Sequence, residues 1–358
     1  MESLSLLIKP VSSACNMACD YCFYRATDGE RDRAPCGMMS AETVGVLAEK
    51  LRRAAPRFLS IAFQGGEPTL AGLDFYRDFV RTVRDSVAPH TRLSFGFQTN
   101  GLLLDDDFAA FFKENGFLVG LSIDGDRATF DRCRRGLNGE SVFDRVMGAA
   151  DLLRRHGVDF NVLSVVTDES ASEIAENYAF FKRNGLRYLQ FVPLIDEGEG
   201  GAKLSPERYA QFLKTLFDLW YDDFQKGTYV SVRAFDNYLS MLFGCMPENC
   251  AMSGVCGRYF TVESGGELYP CDFYCKRAYL LGNLRDDAPF ADTPRHAEFV
   301  DESLRIRETC GSCRWYALCR GGCRRDRVDD LRRNRYCEAY KAFFEYAAPR
   351  LETAARTV

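Results

Sequence analysis

The chain has 358 residues, length for roughly two domains of ~100–200 residues each, and its 46% hydrophobic and 27% charged residues are ordinary globular usage. A net charge of −5 with a pI near 5.5 leaves no overall basic field, which excludes nucleic acid or an anionic membrane as the main partner. No apolar run reaches the ~18 residues of a membrane span, and MESLSLLIKP lacks the basic and long apolar regions of a signal peptide, so a cytoplasmic protein is expected.

In chain order, apolar runs at 4–8, 58–63, 92–97, 117–123, 159–166 and 188–192 read as strands. Segments of helical period lie between and after them, at 40–54, 73–87, 105–115, 142–156 and 170–184. This alternation predicts βαβ units and a parallel sheet. The strand ends carry CNMACDYC, QGGEP, QTNG and SIDGD, and functional residues after many successive strands are the habit of a barrel. The expected fold class is α/β, a partial (β/α)6 barrel. A long helix at 205–226 leads out of it, and the pattern then changes near 230–245. The expected domains are 1–235 and 236–358, the second rich in cysteine and ending in a closing helix. The run 324–335, in which arginine alternates with acid, reads as a solvated loop or helix face.

Fifteen cysteines in such a chain are not expected to form disulfides, because a reducing compartment keeps thiols free. With only three histidines, none near a cysteine group, metal sites here must be thiolate-rich: iron–sulfur clusters or four-cysteine zinc sites. Cys15, Cys19 and Cys22 can hold three irons of a cubane and leave the fourth open to a non-protein ligand. A zinc knuckle missing one ligand, or unliganded buried thiols, are the bland alternatives.

CNMACDYCF followed after the second strand by GGEP resembles the radical S-adenosylmethionine (SAM) superfamily. That resemblance implies that SAM's amino and carboxylate groups occupy the open iron, which accounts for three cysteines rather than four. Cys256, Gly266, Cys271, Cys310, Cys313, Cys319, Cys323 and Cys337 are similar in spacing to the SPASM extension, which binds two further [4Fe–4S] clusters, and Cys250 adds an eighth thiolate. The resemblance implies Cys250, Cys256, Cys271 and Cys323 for the first auxiliary cluster, and Cys310, Cys313, Cys319 and Cys337 for the second. YFTVESGGELYPC reads as a hairpin turning at Ser264–Gly266. Cys36, Cys133, Cys245 and Cys275 remain as ordinary thiols, with Cys275 near enough to the hairpin to be a rival ligand.

LSLLIKP, AFQGGEPTLAG, FLVGLSIDG, LFDLWY, LYPCDFY, LGN and GGCRR together resemble the anaerobic sulfatase-maturating subfamily. The resemblance implies oxidation of a cysteine or serine of a sulfatase, in a Cys/Ser-x-Pro-x-Arg segment, to formylglycine, with a low-potential donor such as ferredoxin or flavodoxin. It also implies Asp272 as the base, ahead of Asp124 and Asp236. Tyr21, Gly66, Ser122, Arg134 and Ile195 are the implied SAM contacts, although FDRCRR also offers Arg132 and Arg135. The competing expectations are a SPASM maturase of a ribosomal peptide, forming a thioether, cross-link or epimer, and a non-catalytic electron-transfer protein. A first strand beginning by about Leu4 leaves no room for the N-terminal peptide-binding domain such maturases carry, and an open three-cysteine site does not suit a pure electron carrier.

Overall fold

The computed structural model describes residues 2–26, 37–195, 201–288, 290 and 293–357; Cys36 lies outside them. Two compact units interleave along the chain: residues 1–122, 134–160 and 257–298 form one, and 123–133, 161–256 and 299–358 the other.

The first unit opens with β1 (Ser3–Ile8), in which Leu4, Leu6 and Ile8 are buried in period two. α1 (Ala41–Ala54) follows, its first turn capped by the Ser40 hydroxyl, which accepts from Thr43 N. Val44, Leu47 and Leu51 form its buried face. The pattern repeats through β2 (Phe58–Phe63), α2 (Leu73–Ser86), β3 (Arg92–Thr99), α3 (Asp106–Asn115) and β4 (Phe117–Ser122). α3 is closed by an Asp105 cap at one end and by Gly116 in the left-handed region (φ 67°) at the other. β1 to β4 are parallel neighbours, with Ile8 beside Phe63 and Phe63 beside Phe97. α4 (Phe143–Arg155) also belongs to this unit.

β5 (Asp159–Val166), α5 (Ile174–Arg183) and β6 (Tyr188–Pro193) continue the alternation. α6 (Pro206–Gln225), capped by Ser205, β7 (Ser231–Val232) and α7 (Arg233–Leu242) complete this stretch, and β5, β6 and β7 are parallel. The chain then returns to the first unit as a hairpin of β8 (Phe260–Val262) and β9 (Glu267–Tyr269), extended by β10 (Gly282–Asn283). Gly266 takes φ 90° at the hairpin turn. β8 pairs parallel with β1, so the order in this unit is β10-β9-β8-β1-β2-β3-β4. The last helix, α8 (Cys337–Ala355), packs on α6 through Phe217–Phe343 and Tyr209–Tyr340 ring contacts.

The six strands and five intervening helices fall where hydrophobic period places them. Among the described residues no helix is long and apolar enough to cross a membrane.

Candidate active site

In the first unit the cysteine loop follows β1, meets the loops after β2 and β3, and reaches the hairpin segment at Asp272 through Tyr24. The 12–14 segment that leads into Cys15 is stitched to the GGEP loop: Gly66 N donates to Ser12 O and Glu67 N to Ala14 O, both at 2.8 Å. A Cβ on Gly66 would lie 2.0 Å from Ala14 O, so only glycine permits this approach. Ala18 N donates to Arg135 O at 2.9 Å, and Met17 bridges to Gly136, which fixes the far side of the loop. Asn100 Nδ2 donates to Asn16 Oδ1 at 2.8 Å and lies 3.9 Å from Cys15 Sγ.

The Glu67 carboxylate is buried and points into the fold. It accepts from Thr69 N and Oγ1, Thr99 Oγ1 and Asn100 N at 2.6–3.0 Å, so it fastens the loop after β2 to the end of β3. Burial raises its pKa and these donors pull it back.

Among the SAM contacts expected from the sequence, Tyr21 and Arg134 come together: the Arg134 guanidinium, buried, lies 5.4 Å from the Tyr21 ring centroid. Arg132 is bound instead to Glu173 at 2.8 and 3.1 Å. Ser122, at the end of β4, accepts from Gln98 Nε2 at 3.0 Å. Ile195, half-buried, follows β6 in the other unit.

Asp272 begins a short helical turn just after Cys271 and is buried. Its Oδ2 accepts from the Tyr24 hydroxyl and, at 3.3 Å, from Gln64 Nε2, which also donates to the Tyr24 oxygen at 2.8 Å. Lys9, wholly buried, pairs with Glu263 at 2.7 Å and stands 3.6 Å from Asp272 Oδ1. Burial, and then the Asp272 charge, push the Tyr24 pKa well above the usual phenol value. Tyr24 is thus the donor of the pair and Asp272 the acceptor. Lys9, Tyr24, Gln64 and Glu263 were not singled out in the sequence. Asp124 and Asp236, the weaker candidates, are engaged locally: Asp124 accepts from Val165 N at 2.9 Å and Asp236 from Ser231 Oγ at 2.5 Å.

In the second unit burial raises the pKa of Cys310, Cys319 and Cys337, and the Cys313 thiol adds to the rise at each. Burial, with the other three thiols, pushes Cys319 up to about 12. Cys250 and Cys256 likewise add to the rise that burial causes at Cys323. Cys271 and Cys275 belong to the first unit, where the Cys275 thiol lies 3.8 Å from Cys271 O. In the cysteine loop burial pushes the Cys15 thiol up to about 11, with Glu67 and Cys22 adding to it.

Buried thiols that repel one another as anions suit iron clusters, whose metal charge allows all of them to ionise. Among the described residues no three cysteine, histidine or acidic side chains converge on a single ion, and a cubane does not need that, since each thiolate takes its own iron.

GGCRR is explained locally. Gly321 and Gly322 take φ 79° and 63°, where a Cβ would lie 2.3 Å from Ile306 and 2.4 Å from Asn334 respectively. The expectation of a solvated run at 324–335 is corrected at two arginines: Arg324 and Arg327 are 4% and 8% exposed. Arg324 is bound to Glu302 and Phe299 O, and Arg327 to the carbonyls of Gly321, Gly322 and Ser303.

Residues 10–181 match the family model of the Radical SAM superfamily. With the open cysteine loop, its glycine cradle and the parallel βα repeat, they define a radical SAM protein carrying a cysteine-rich extension. The whole chain is 41% identical to the whole of the cysteine-type anaerobic sulfatase-maturating enzyme of Clostridium perfringens (strain 13 / Type A). It is 32% identical, over 95% of its length and 86% of the relative's, to the serine-type enzyme of Klebsiella pneumoniae. The chain belongs to the anaerobic sulfatase-maturating enzymes. A solved structure of native anSMEcpe with bound AdoMet and Kp18Cys peptide superposes with TM-score 0.93 at 39% identity, covering 99% of this chain and 100% of that one. Streptococcus suis SuiB bound to precursor peptide SuiA, at 17% identity and TM-score 0.62 over 90% of this chain and 72% of that one, shares the fold alone.

Proposed function

We propose that this chain oxidises one side chain of a sulfatase, in a Cys-x-Pro-x-Arg segment, to 3-oxoalanine (formylglycine) without oxygen, and that Asp272 is the base. The observation that carries the base is the buried cluster in which Tyr24 and Gln64 donate to one Asp272 oxygen while Lys9 stands near the other. Full-length identity of 41% to a cysteine-type relative, against 32% to a serine-type one, favours cysteine as the target.

Cys15, Cys19 and Cys22 hold the first [4Fe–4S] cluster, and the other eight assigned cysteines hold two more. Tyr21, Gly66, Ser122, Arg134 and Ile195 hold SAM, with Arg134 suited to a carboxylate through its planar fork. When bound, these groups supply a 5′-deoxyadenosyl radical for one Cβ hydrogen atom and an acceptor for one electron. Asp272 takes the remaining proton from the target thiol. Deprotonation makes the carbon-centred radical far more reducing, so the base sets how readily its electron leaves. Loss of two electrons and two protons gives a thioaldehyde, which water converts to the aldehyde with release of sulfide. A low-potential donor such as ferredoxin or flavodoxin supplies the electron for SAM cleavage, in the cytoplasm. Residues 1–235 carry the radical chemistry and 236–358 the auxiliary clusters.

The test is an anaerobic assay on a Cys-x-Pro-x-Arg peptide, read by mass spectrometry. Asp272→Asn should lower formylglycine yield by a factor on the order of 10²–10⁴ while 5′-deoxyadenosine release continues. A near-normal aldehyde yield removes Asp272 from the mechanism, and a cross-linked or epimerised product overturns the function.

A further inference from the structure

Arg327 is a guanidinium in the interior of the second unit. Its hydrogen-bond partners are all backbone carbonyls: Ser303 O, Gly322 O at 2.9 Å and Gly321 O at 3.3 Å. No carboxylate among the described residues pairs with it, whereas its neighbour Arg324 is matched by Glu302 at 2.6 Å. Carbonyls bring dipoles but no charge, and a buried cation without a counter-charge is costly. Some anion must balance Arg327 in the working protein.

The surroundings identify it. Gly321 and Gly322, whose carbonyls Arg327 binds, immediately precede Cys323. The Ser303 hydroxyl accepts from Cys256 N at 3.0 Å, and the Ser303 carbonyl is bound by Arg327. The guanidinium therefore ties the segment that presents Cys323 to Ser303, whose hydroxyl in turn holds the backbone of Cys256. Both thiols act on it electrostatically, opposing the effect of its burial. In the sequence GGCRRDR, the two glycines supply the carbonyls, the cysteine the anion and the last arginine the cation.

We infer that Arg327 is the counter-ion of the first auxiliary cluster and holds that cluster's reduction potential up. The inference rests on the proposed assignment of Cys256 and Cys323 to that cluster. A cluster gains one negative charge for each electron it accepts, and a fixed buried cation favours the more negative state. The electron leaving the deprotonated substrate radical reduces the oxidised cluster by one unit, with no bond made or broken at the arginine. Arg327 is a positioning residue that acts through the cluster.

The reconstituted full-length enzyme tests this by anaerobic potentiometric titration, each cluster followed by EPR, with iron counted in parallel. Arg327→Gln should lower the midpoint of one auxiliary cluster so that its reduced-to-oxidised ratio at fixed potential falls at least tenfold, about 59 mV for one electron. The other two clusters should not move. Arg327→Lys, which keeps the charge, should retain the parent midpoint. A glutamine variant with full iron and a ratio within twofold of the parent overturns the inference. If that variant sheds its cluster, the lysine variant decides: parent iron and parent midpoint uphold the assignment, and lost iron or a lowered midpoint overturns it. A parent enzyme holding iron at Cys15, Cys19 and Cys22 alone would overturn the ligand assignment, and the inference with it.

Discussion

Replacing Lys9 by methionine separates charge from packing beneath Asp272. Methionine keeps most of the unbranched stem that reaches the Tyr24 ring, whose centroid lies 4.6 Å from Lys9 Nζ, but it removes the ammonium. The Glu263 and Asp272 side chains, 9% and 3% exposed, then lose the Lys9 charge that stands between them. Removing one partner of a buried pair costs about 3–5 kcal/mol. An unfolding entropy of about 2.1 cal/mol/K per residue amounts to about 0.75 kcal/mol/K for the 358-residue chain. The midpoint of thermal unfolding should therefore fall by about 4–7 °C, measured by calorimetry on anaerobically loaded protein. Lys9→Met combined with Glu263→Gln removes the repelling charge and should recover more than half of that loss. Aldehyde yield in the single variant should fall more than deoxyadenosine release, since Asp272 loses its support. A midpoint within about 1 °C of the parent would refute the claim that this cation holds the cluster together.

Gly66→Ala puts a methyl 2.0 Å from Ala14 O and 2.4 Å from Ser13 O, and should abolish SAM cleavage while leaving the C-terminal irons in place; normal cleavage would refute the cradle. Arg134→Ala should weaken SAM binding at least tenfold, a loss of about 1.4 kcal/mol, whereas Arg132→Ala, which breaks only the Glu173 pair, should leave it within twofold in equilibrium dialysis. Glu67→Ala strands the Thr69, Thr99 and Asn100 donors and should destabilise the fold by about 2–4 kcal/mol in urea titration. Alanine at Cys15, Cys19 and Cys22 should remove about four of about twelve irons, and zinc in their place would contradict the cluster reading.

The strands were legible because β1 and β2 alternate buried and exposed positions, and because helix starts such as Ser40 and Ser205 carry their capping side chains openly. The cysteine groups were legible from spacing and resemblance. Lys9 was not, since a lysine after an apolar strand reads as a solvated strand end; only the return of the chain at β8 places Glu263 beside it. Tyr24 and Gln64 meet Asp272 across 248 and 208 residues of chain, a separation that carries no local period. Arg324 and Arg327 were misread because acids alternate with them; their partners are mostly backbone carbonyls, which leave no trace in composition. Glu67 was legible as a motif residue, but its inward turn depends on Thr99 and Asn100 arriving from β3.

The core of the first unit has one further consequence. It is walled by phenylalanine: Phe63, Phe79, Phe95, Phe97, Phe112 and Phe117 pack ring to ring, edge-on, tilted or stacked, with centroids 4.9–6.3 Å apart, and the chain's two tryptophans lie in the other unit. A phenyl ring is far harder to oxidise than an indole or a phenol. The phenol in this cluster, Tyr76, donates to Pro68 O and stays protonated, because burial and the Glu67 charge hold its pKa well above the usual value. In this wall an electron vacancy meets phenyl rings, Tyr76 being the one phenol among the described residues of the cluster. The phenylalanine wall below the strand ends thus offers a poor path for such a vacancy, in contrast to the Tyr24 phenol beside Asp272.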